Sequence, residues 1–189
     1  MKVNKLKLIS LGKSQLSEAV SLPEILIALF IIVVSLVTFL TLATTQLRTL
    51  KFAKEKFMAN ILALEGLELI QAYRNQRLTQ DLTNWLGDLS KKGDYCIFIN
   101  ENNTLQVIGR DICDGKLYLS NGVYTHERSS LSVPTLYKRI ISVRDNFDEN
   151  KTDLRNSKFV RVISKVSYPA GEINLEMILT KWHPLFSED

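Results

Sequence analysis

The stretch SLPEILIALFIIVVSLVTFLTLATTQL, residues 21–47, decides how this chain is organised. It carries one carboxylate, Glu24, and from Ile25 to Leu47 it contains no charged residue. As a helix that rises about 1.5 Å per residue, this run is about 34 Å long, which is enough to cross a hydrocarbon core of about 30 Å. A carboxylate at the start of a membrane segment is costly unless it has a partner, so Glu24 requires a functional explanation.

Residues 1–19, which precede this stretch, form a short basic segment. They contain four lysines and one glutamate, so they carry +3 of the chain's net charge of +4. The sequence pI near 9.0 therefore reflects this segment and does not indicate a nucleic-acid partner. Because positive residues favour the cytoplasmic side of an apolar span, we expect residues 1–19 in the cytoplasm and the chain beyond about Leu47 outside it.

This arrangement resembles the class III signal of type IV pilins and type II secretion pseudopilins. In that family a basic leader ends in a small residue, usually Gly, and the mature chain begins with a hydrophobic residue, usually Phe, and has Glu as its fifth residue. Here Ala19 takes the place of the Gly and Val20 that of the Phe, which makes Glu24 the fifth residue. The apolar run lacks the Gly and Pro that major pilins often carry, which favours a minor pilin or a pseudopilin.

The resemblance implies a series of processing and assembly steps. A prepilin peptidase would cleave between Ala19 and Val20 and would methylate the new α-amino group of Val20. The Glu24 carboxylate would then neutralise the α-amino group of a neighbouring subunit, since each charge needs a partner in an apolar bundle. The implied partners are the prepilin peptidase, other pilin or pseudopilin subunits, an inner-membrane assembly platform and the lipid bilayer. The implied location is the cytoplasmic membrane and then a surface filament.

A second similarity covers residues 60–77 and the tryptophan that follows them. Minor pilins of the PilV and GspI kind carry an A-x-E-G-x-E … R-N helix followed by a Trp in this region. The matching residues in this chain are Ala63, Glu65, Gly66, Glu68, Arg74, Asn75 and Trp85. The alternative interpretation is a solvated helix face without a role in assembly.

The pattern of polar and apolar residues predicts an α+β fold, with a long N-terminal hydrophobic α-helix packed on a C-terminal antiparallel β-sheet. We expect the helix from about Leu22 to Gln76, because the apolar run continues into an amphipathic pattern with three- and four-residue spacing. The expected regions are a cleaved leader (1–19), a transmembrane or assembly half of the helix (20–47), an amphipathic half (48–78) and a globular, mostly β domain (79–189).

Turn signals such as Asn-Gly and Asp-Gly divide the last of these regions into short runs with strand character. We expect a sheet of about four antiparallel strands, a connecting segment over residues 79–90 and an exposed polar loop over residues 145–157. The runs with strand character are Tyr95–Asn100, Thr104–Ile108, Lys116–Ser120, Leu136–Arg144, Phe159–Tyr168 and Glu172–Trp182.

The chain has two cysteines, Cys96 and Cys113, and both follow the apolar run. If this region lies outside the cytoplasm, the two can form a disulfide. Closing a loop of about 18 residues would stabilise the fold by roughly 3 kcal/mol on the chain-entropy estimate. The alternative is two free thiols in a small β core.

No residue pattern in the sequence indicates catalysis, a cofactor or a metal. The two histidines, His126 and His183, have no Cys, His or carboxylate at metal-ligand spacing, so we expect structural or surface roles for them. We therefore do not expect an enzyme. The function that competes with a filament subunit is an extracytoplasmic binding or adhesion module held by an uncleaved signal anchor.

Overall fold

A computed structural model of the chain describes residues 21–80, 84–100, 102–109 and 111–181. The chain divides into two compact units, Met1–Leu47 and Arg48–Asp189. Its elements in chain order are α1 (Leu22–Gln80), a short 3-10 helix (Gly87–Ser90), β1 (Gly93–Ile99), β2 (Leu105–Gly109), β3 (Lys116–Ser120), β4 (Val123–Thr125), β5 (Val133–Asp145), β6 (Phe159–Tyr168) and β7 (Gly171–Thr180).

In the first unit, α1 begins with a turn that the sequence favours. The Glu24 N–H donates to the Ser21 carbonyl oxygen over 2.9 Å, and Pro23 lies in the first turn, where a missing N–H costs little. The apolar residues that follow include an 18-residue window with a mean hydropathy of 3.0, none of which is buried. Among the described residues, α1 is the one helix that is long and apolar enough to cross a membrane, and it is compatible with a single span.

In the second unit, α1 continues with one buried face and ends at Gln80, beyond the predicted end at Gln76. The buried positions recur at spacings of three and four residues, which places them on one side of a helix. They are Ala59, Leu62, Ala63, Gly66, Leu67, Ile70, Tyr73 and Leu78. The amphipathic pattern predicted from apolar residues between Leu50 and Ile70 matches this face only in part. Leu67 and Ile70 are buried on it. The other predicted positions Leu50, Phe57, Ile61 and Leu64 are exposed.

The second unit contains a seven-stranded antiparallel sheet with β5 at its centre. One edge of β5 pairs with two strands, β3 along residues 133–138 and β1 along residues 141–143. The other edge pairs with β6, which pairs in turn with β7 over its whole length. The sheet is completed by β2 beside β1 and by β4 beside β3.

Two buried clusters join α1 to this sheet. The larger cluster combines the helix residues Leu67, Ile70 and Tyr73 with Trp85 and with alternate residues of β1, β5 and β6. The smaller cluster combines Ala59, Leu62 and Ala63 with Leu117 and Val166. Strand residues at a spacing of two point to the same face of a sheet, so one face of this sheet covers the helix.

The predicted α+β class is confirmed, but the predicted number of strands is wrong. All six runs with strand character form strands of a single sheet, so a sheet of about four strands was too small. The seventh strand, β4, has three residues, which is too short to show an alternating pattern. The longest strand, β5, begins at Val133, earlier than the predicted Leu136, and so includes Pro134. The strand tolerates this proline because the register of β5 with β3 shifts beside it, and the regular pattern of hydrogen bonds between the two strands is interrupted there.

Candidate functional site

Glu24 lies in the first turn of α1 and is exposed. Within the described part of the chain its carboxylate makes no ion pair and no hydrogen bond. A carboxylate near a helix N-terminus gains only about 0.3–1 kcal/mol from the helix dipole, whereas a charge inside a membrane costs about 2.5–3.5 kcal/mol or more. The dipole alone therefore does not compensate Glu24 in an apolar environment. The predicted cleavage and methylation residues, Ala19 and Val20, lie outside the described residues.

The hydroxyl groups of the apolar part of α1 bond to the helix itself. Ser35 Oγ donates to the Ile31 carbonyl oxygen over 2.7 Å, and Thr41 Oγ1 donates to the Val37 carbonyl oxygen over 2.8 Å. The other hydroxyls that bond to a carbonyl three or four residues earlier are Thr38, Thr44 and Thr45. Because these donors are satisfied, the helix surface from Ile25 to Thr45 can face lipid or other apolar helices at little cost.

Several residues of the second similarity help to hold α1 on the sheet. Ala63, Gly66 and Trp85 are buried, and Arg74 Nη1 donates to the Thr180 carbonyl oxygen at the end of β7 over 3.0 Å. Glu68 is exposed. A solvated helix face therefore does not describe this segment as a whole.

Arg139, on β5, is a buried charge with 0% of its surface exposed. Its guanidinium donates to the Leu62 and Ile97 carbonyl oxygens over 3.2 and 3.1 Å, and it pairs with Glu65 Oε1 over 3.2 Å. Burial lowers the pKa of Arg139, and the Glu65 carboxylate counteracts that effect. The side chain thus links α1, β1 and β5. The same strand also carries Lys138 and Arg144, so the sequence analysis did not single out Arg139 as the buried one.

Gly66 permits the close approach of α1 to this region of the sheet. A Cβ atom at this position would lie 2.7 Å from Ser164 Oγ, 2.9 Å from Ile141 Cδ1 and 3.0 Å from Arg139 Cδ. These separations are shorter than van der Waals contact, so the glycine is required by packing rather than by backbone conformation. This explains why a residue with poor helix propensity lies within α1.

Cys96 and Cys113 are joined in a disulfide with a Cα–Cα distance of 6.2 Å. Cys96 is in β1 and is buried, whereas Cys113 is in the connection between β2 and β3. The disulfide therefore fastens the β2–β3 connection to β1.

His126 follows β4 and lies beside this disulfide. Its Nδ1 atom is 3.8 Å from Cys113 Sγ and 3.1 Å from the Lys116 carbonyl oxygen, and its Nε2 atom is buried without a hydrogen-bond partner among the described residues. Burial, assisted by the charge of Arg139, lowers the pKa of His126 to about 4. The fold thus brings together a histidine and two cysteines that showed no ligand spacing along the sequence; His183 lies outside the described residues.

Asp145 organises the loop that was expected to be polar and exposed. Its Oδ1 atom accepts from the Phe147 and Asp148 N–H groups over 3.0 and 3.1 Å, and its Oδ2 atom accepts from the Ser157 hydroxyl and pairs with Lys151 over 3.3 Å. The Ser157 hydrogen bond, together with these other donors, holds the pKa of Asp145 well below its usual range. The loop also buries Leu154, Ser157 and Asp145, so the expectation of full exposure is wrong.

A small open groove lies beside the turns that join β1 to β2 and β3 to β4. Its volume is about 270 Å³, and its lining includes Ile99, Asn103, Asn121, Val123 and Glu127. Sites for small molecules usually measure about 300–1,000 Å³ and are mostly enclosed. The groove is therefore a weak basis for a binding module.

Comparison of the chain with protein-family models, with curated proteins and with solved structures finds no match.

Proposed function

We propose that this chain is a structural subunit of a filament, a minor pilin or pseudopilin of a type IV pilus or of a type II secretion-like assembly. The observation that carries the proposal is the N-terminal part of α1. Glu24, without a partner in the described residues, precedes a helix surface that carries no charge from Ile25 to Leu47 and exposes large apolar side chains along its length. A single membrane anchor needs the apolar surface but does not need the carboxylate.

The chemistry of the expected cleavage explains why a carboxylate would be useful at this position. Cutting the bond between Ala19 and Val20 creates an ammonium group four residues before Glu24. Neither charge is stable alone among apolar helices, but the two can neutralise each other between adjacent subunits. Such pairing sets the axial position of one subunit relative to the next, while the apolar surfaces supply the contact area.

The globular domain is consistent with a location outside the cytoplasm. The lysines of residues 1–19 favour a cytoplasmic leader, and a disulfide such as Cys96–Cys113 is usual in an oxidising compartment. A reporter enzyme fused after Asp189 is therefore expected to be active only outside the cytoplasm. Activity inside the cytoplasm would contradict the proposed topology.

The proposal is tested by replacing Glu24 in cells that carry the filament machinery. Loss of one member of a buried charge pair costs roughly 3–5 kcal/mol, which corresponds to about a thousandfold change in an assembly equilibrium. We expect Glu24→Ala and Glu24→Gln chains to remain in the membrane with a folded domain but to be depleted from sheared filaments. Glu68→Gln is the matched control, because Glu68 is an exposed carboxylate on the same helix.

Equal recovery of wild-type, Glu24→Gln and Glu68→Gln chains in the filament fraction would contradict a role for Glu24 in assembly. Absence of every variant, including the wild type, from filaments would instead favour an extracytoplasmic module on an uncleaved signal anchor.

A further inference from the structure

The part of α1 that directly follows the uncharged run carries four exposed basic residues. They are Arg48, Lys51, Lys54 and Lys56, called here the basic collar. Among the described residues, no side chain of the collar makes an ion pair or a hydrogen bond. Residues 48–64 contain one carboxylate, Glu55, so this segment of the helix has a net charge of +3.

Glu55 does not neutralise the collar. Its side chain is half-buried, whereas the side chains of the collar are exposed. Burial raises the pKa of Tyr137, and Tyr124 and the Glu55 carboxylate raise it further. The Glu55 carboxylate therefore lies close enough to Tyr137 to act on it, on the side of the helix that faces the sheet. The cations of the collar remain available to an anionic partner.

Three tyrosines lie at the end of the sheet that is next to the collar. Tyr124, Tyr137 and Tyr168 are half-buried and pack against the smaller buried cluster, whose first helix residue, Ala59, is three residues after Lys56. The rings of Tyr124 and Tyr137 meet edge to face, with their centroids 6.4 Å apart. Tyrosine is enriched at membrane–water interfaces, because its ring is apolar and its hydroxyl tip is polar.

We propose that the basic collar, flanked by these tyrosines, binds the headgroups of anionic phospholipids, represented by phosphatidylglycerol, at the membrane surface where the uncharged run ends. Clusters of lysine and arginine beside a membrane span attract anionic lipids. The inference requires only that residues 25–47 lie in a bilayer. It therefore applies to a filament subunit before assembly and to a simple membrane anchor alike, and it stands if the proposed function fails.

The length of the collar matches the thickness of a headgroup layer. The two polar layers add about 10–15 Å to a hydrocarbon core of about 30 Å, which gives about 5–7 Å on each side. With a rise of about 1.5 Å per residue, Arg48 and Lys51 lie within about 6 Å of the end of the uncharged run. Lys54 and Lys56 lie up to about 14 Å from it, where long side chains reach back toward the phosphates and the surface potential acts over about 8 Å.

The sign of the charge is informative on this side of the span. Basic residues near a span favour its cytoplasmic side, and the proposed topology places the collar on the other side. The collar therefore opposes the orientation that the lysines of residues 1–19 favour. Contact with anionic headgroups gives these cations a role that a neutral connecting segment would not fill.

The test uses the full-length chain reconstituted in phosphatidylcholine bilayers with a trace of spin-labelled phosphatidylglycerol or spin-labelled phosphatidylcholine. Electron spin resonance separates the lipid held at the protein surface from the bulk lipid, so it measures the preference of the chain for one lipid over the other. Each cation that contacts a headgroup corresponds to about a fivefold preference for the anionic lipid at that position. We expect the wild-type chain to prefer phosphatidylglycerol and to lose most of this preference at about 1 M salt, where the Debye length is about 3 Å.

A collar variant tests the contribution of the lysines. It combines Lys51→Gln, Lys54→Gln and Lys56→Gln, and glutamine has a helix propensity close to that of lysine. Because the measurement averages over all lipids around the helix, we expect the collar variant to lower the mean preference for phosphatidylglycerol about twofold. The lysines of residues 1–19 are the same in every chain, so the difference between chains reports the collar.

The matched control removes the same charge from exposed lysines at the opposite end of the sheet. It combines Lys91→Gln, which precedes β1, with Lys158→Gln and Lys181→Gln, which flank the paired ends of β6 and β7. We expect the control to keep the lipid preference of the wild type.

Three results would overturn the proposal. The first is an equal preference for phosphatidylglycerol in the wild type and in the collar variant. The second is a wild-type preference that persists at about 1 M salt, which decides against the collar even if the collar variant does not fold. The third is a collar variant that keeps its lipid preference but is depleted from sheared filaments, which would assign the collar to carboxylates of a neighbouring subunit. The lipid measurements use no filament machinery, so their outcome is separate from that of the proposed function.

Discussion

Replacing Glu65 with Gln removes the carboxylate that faces the buried guanidinium of Arg139 and leaves a side chain of nearly the same shape. Arg139 is fully buried, whereas 33% of the Glu65 side chain is exposed. The variant therefore separates the charge interaction from packing at the contact between α1 and β5. Arg139→Met is the complementary change, because it removes the charge but keeps a long apolar chain.

The expected magnitude follows from the bonds that remain. In Glu65→Gln, Arg139 keeps its hydrogen bonds to the Leu62 and Ile97 carbonyl oxygens, and water reaches the exposed part of residue 65. We therefore expect a loss below the roughly 3–5 kcal/mol of a broken buried pair, about 1–2 kcal/mol in the free energy of unfolding. In Arg139→Met, two carbonyl groups lose a donor but a buried charge disappears, so we expect a loss of about 1–3 kcal/mol.

The assay is urea unfolding of the full-length chain in detergent, followed by tryptophan fluorescence, since Trp85 lies fully buried in the core beside α1. The double variant, Glu65→Gln with Arg139→Met, should lose less stability than the sum of the losses of the two single variants. The reason is that the glutamine at position 65 in the double variant no longer lies beside a buried charge. Glu68→Gln serves as the surface control and should change the free energy of unfolding by less than about 0.5 kcal/mol. Additive single effects, or a Glu65→Gln variant as stable as the control, would refute the role assigned to the pair.

Three further predictions concern the globular domain, each measured as the free energy of unfolding. Asp145→Asn should destabilise the domain by about 2 kcal/mol at neutral pH. Because the pKa of Asp145 is lowered in the folded state, the difference in stability from wild type should shrink as the pH falls below about 4. A difference that stays constant with pH would contradict the role of the ionised Asp145 carboxylate in the loop. Gly66→Ala should lose about 1–3 kcal/mol of stability by overpacking, which outweighs the roughly 1 kcal/mol gained in helix propensity. Gly109→Ala is the control, because no atom lies within 4 Å of its added Cβ, and it should not show the overpacking loss. Cys96→Ser combined with Cys113→Ser should cost about 3 kcal/mol, and unchanged stability would show that the disulfide does not stabilise the domain.

The fold class could be predicted because its signals are local. The uncharged run after Glu24 and a helical spacing of apolar residues between Leu50 and Ile70 are visible without any knowledge of the partners. That spacing predicted the helix but not which of its apolar residues are buried, since Phe57 and Leu64 are exposed. The strands could be predicted for the same reason, since each lies between turn residues. The short strand β4 was missed because three residues cannot show a period.

The contacts of the globular domain could not be predicted, since they depend on which strands become neighbours. Arg139 belongs to a strand with several basic residues, and only its pairing partners and the approach of α1 determine that it is buried. His126 is separated from Cys96 by 30 positions in the sequence, and the β1–β5–β3 order brings them together. Asp145 accepts local hydrogen bonds from the Phe147 and Asp148 N–H groups, but its hydrogen bond from Ser157 forms only when the loop folds back.

The N-terminus of the protein extracted from membranes tests the central claim most directly. We predict that intact-mass measurement and N-terminal sequencing will find a chain that begins at Val20 and carries one methyl group on its α-amino nitrogen. The same chain expressed in cells without the prepilin peptidase should keep residues 1–19. A mature protein that retains Met1 in the presence of the peptidase, or one that begins after Leu40, would contradict the proposal that this chain is a filament subunit.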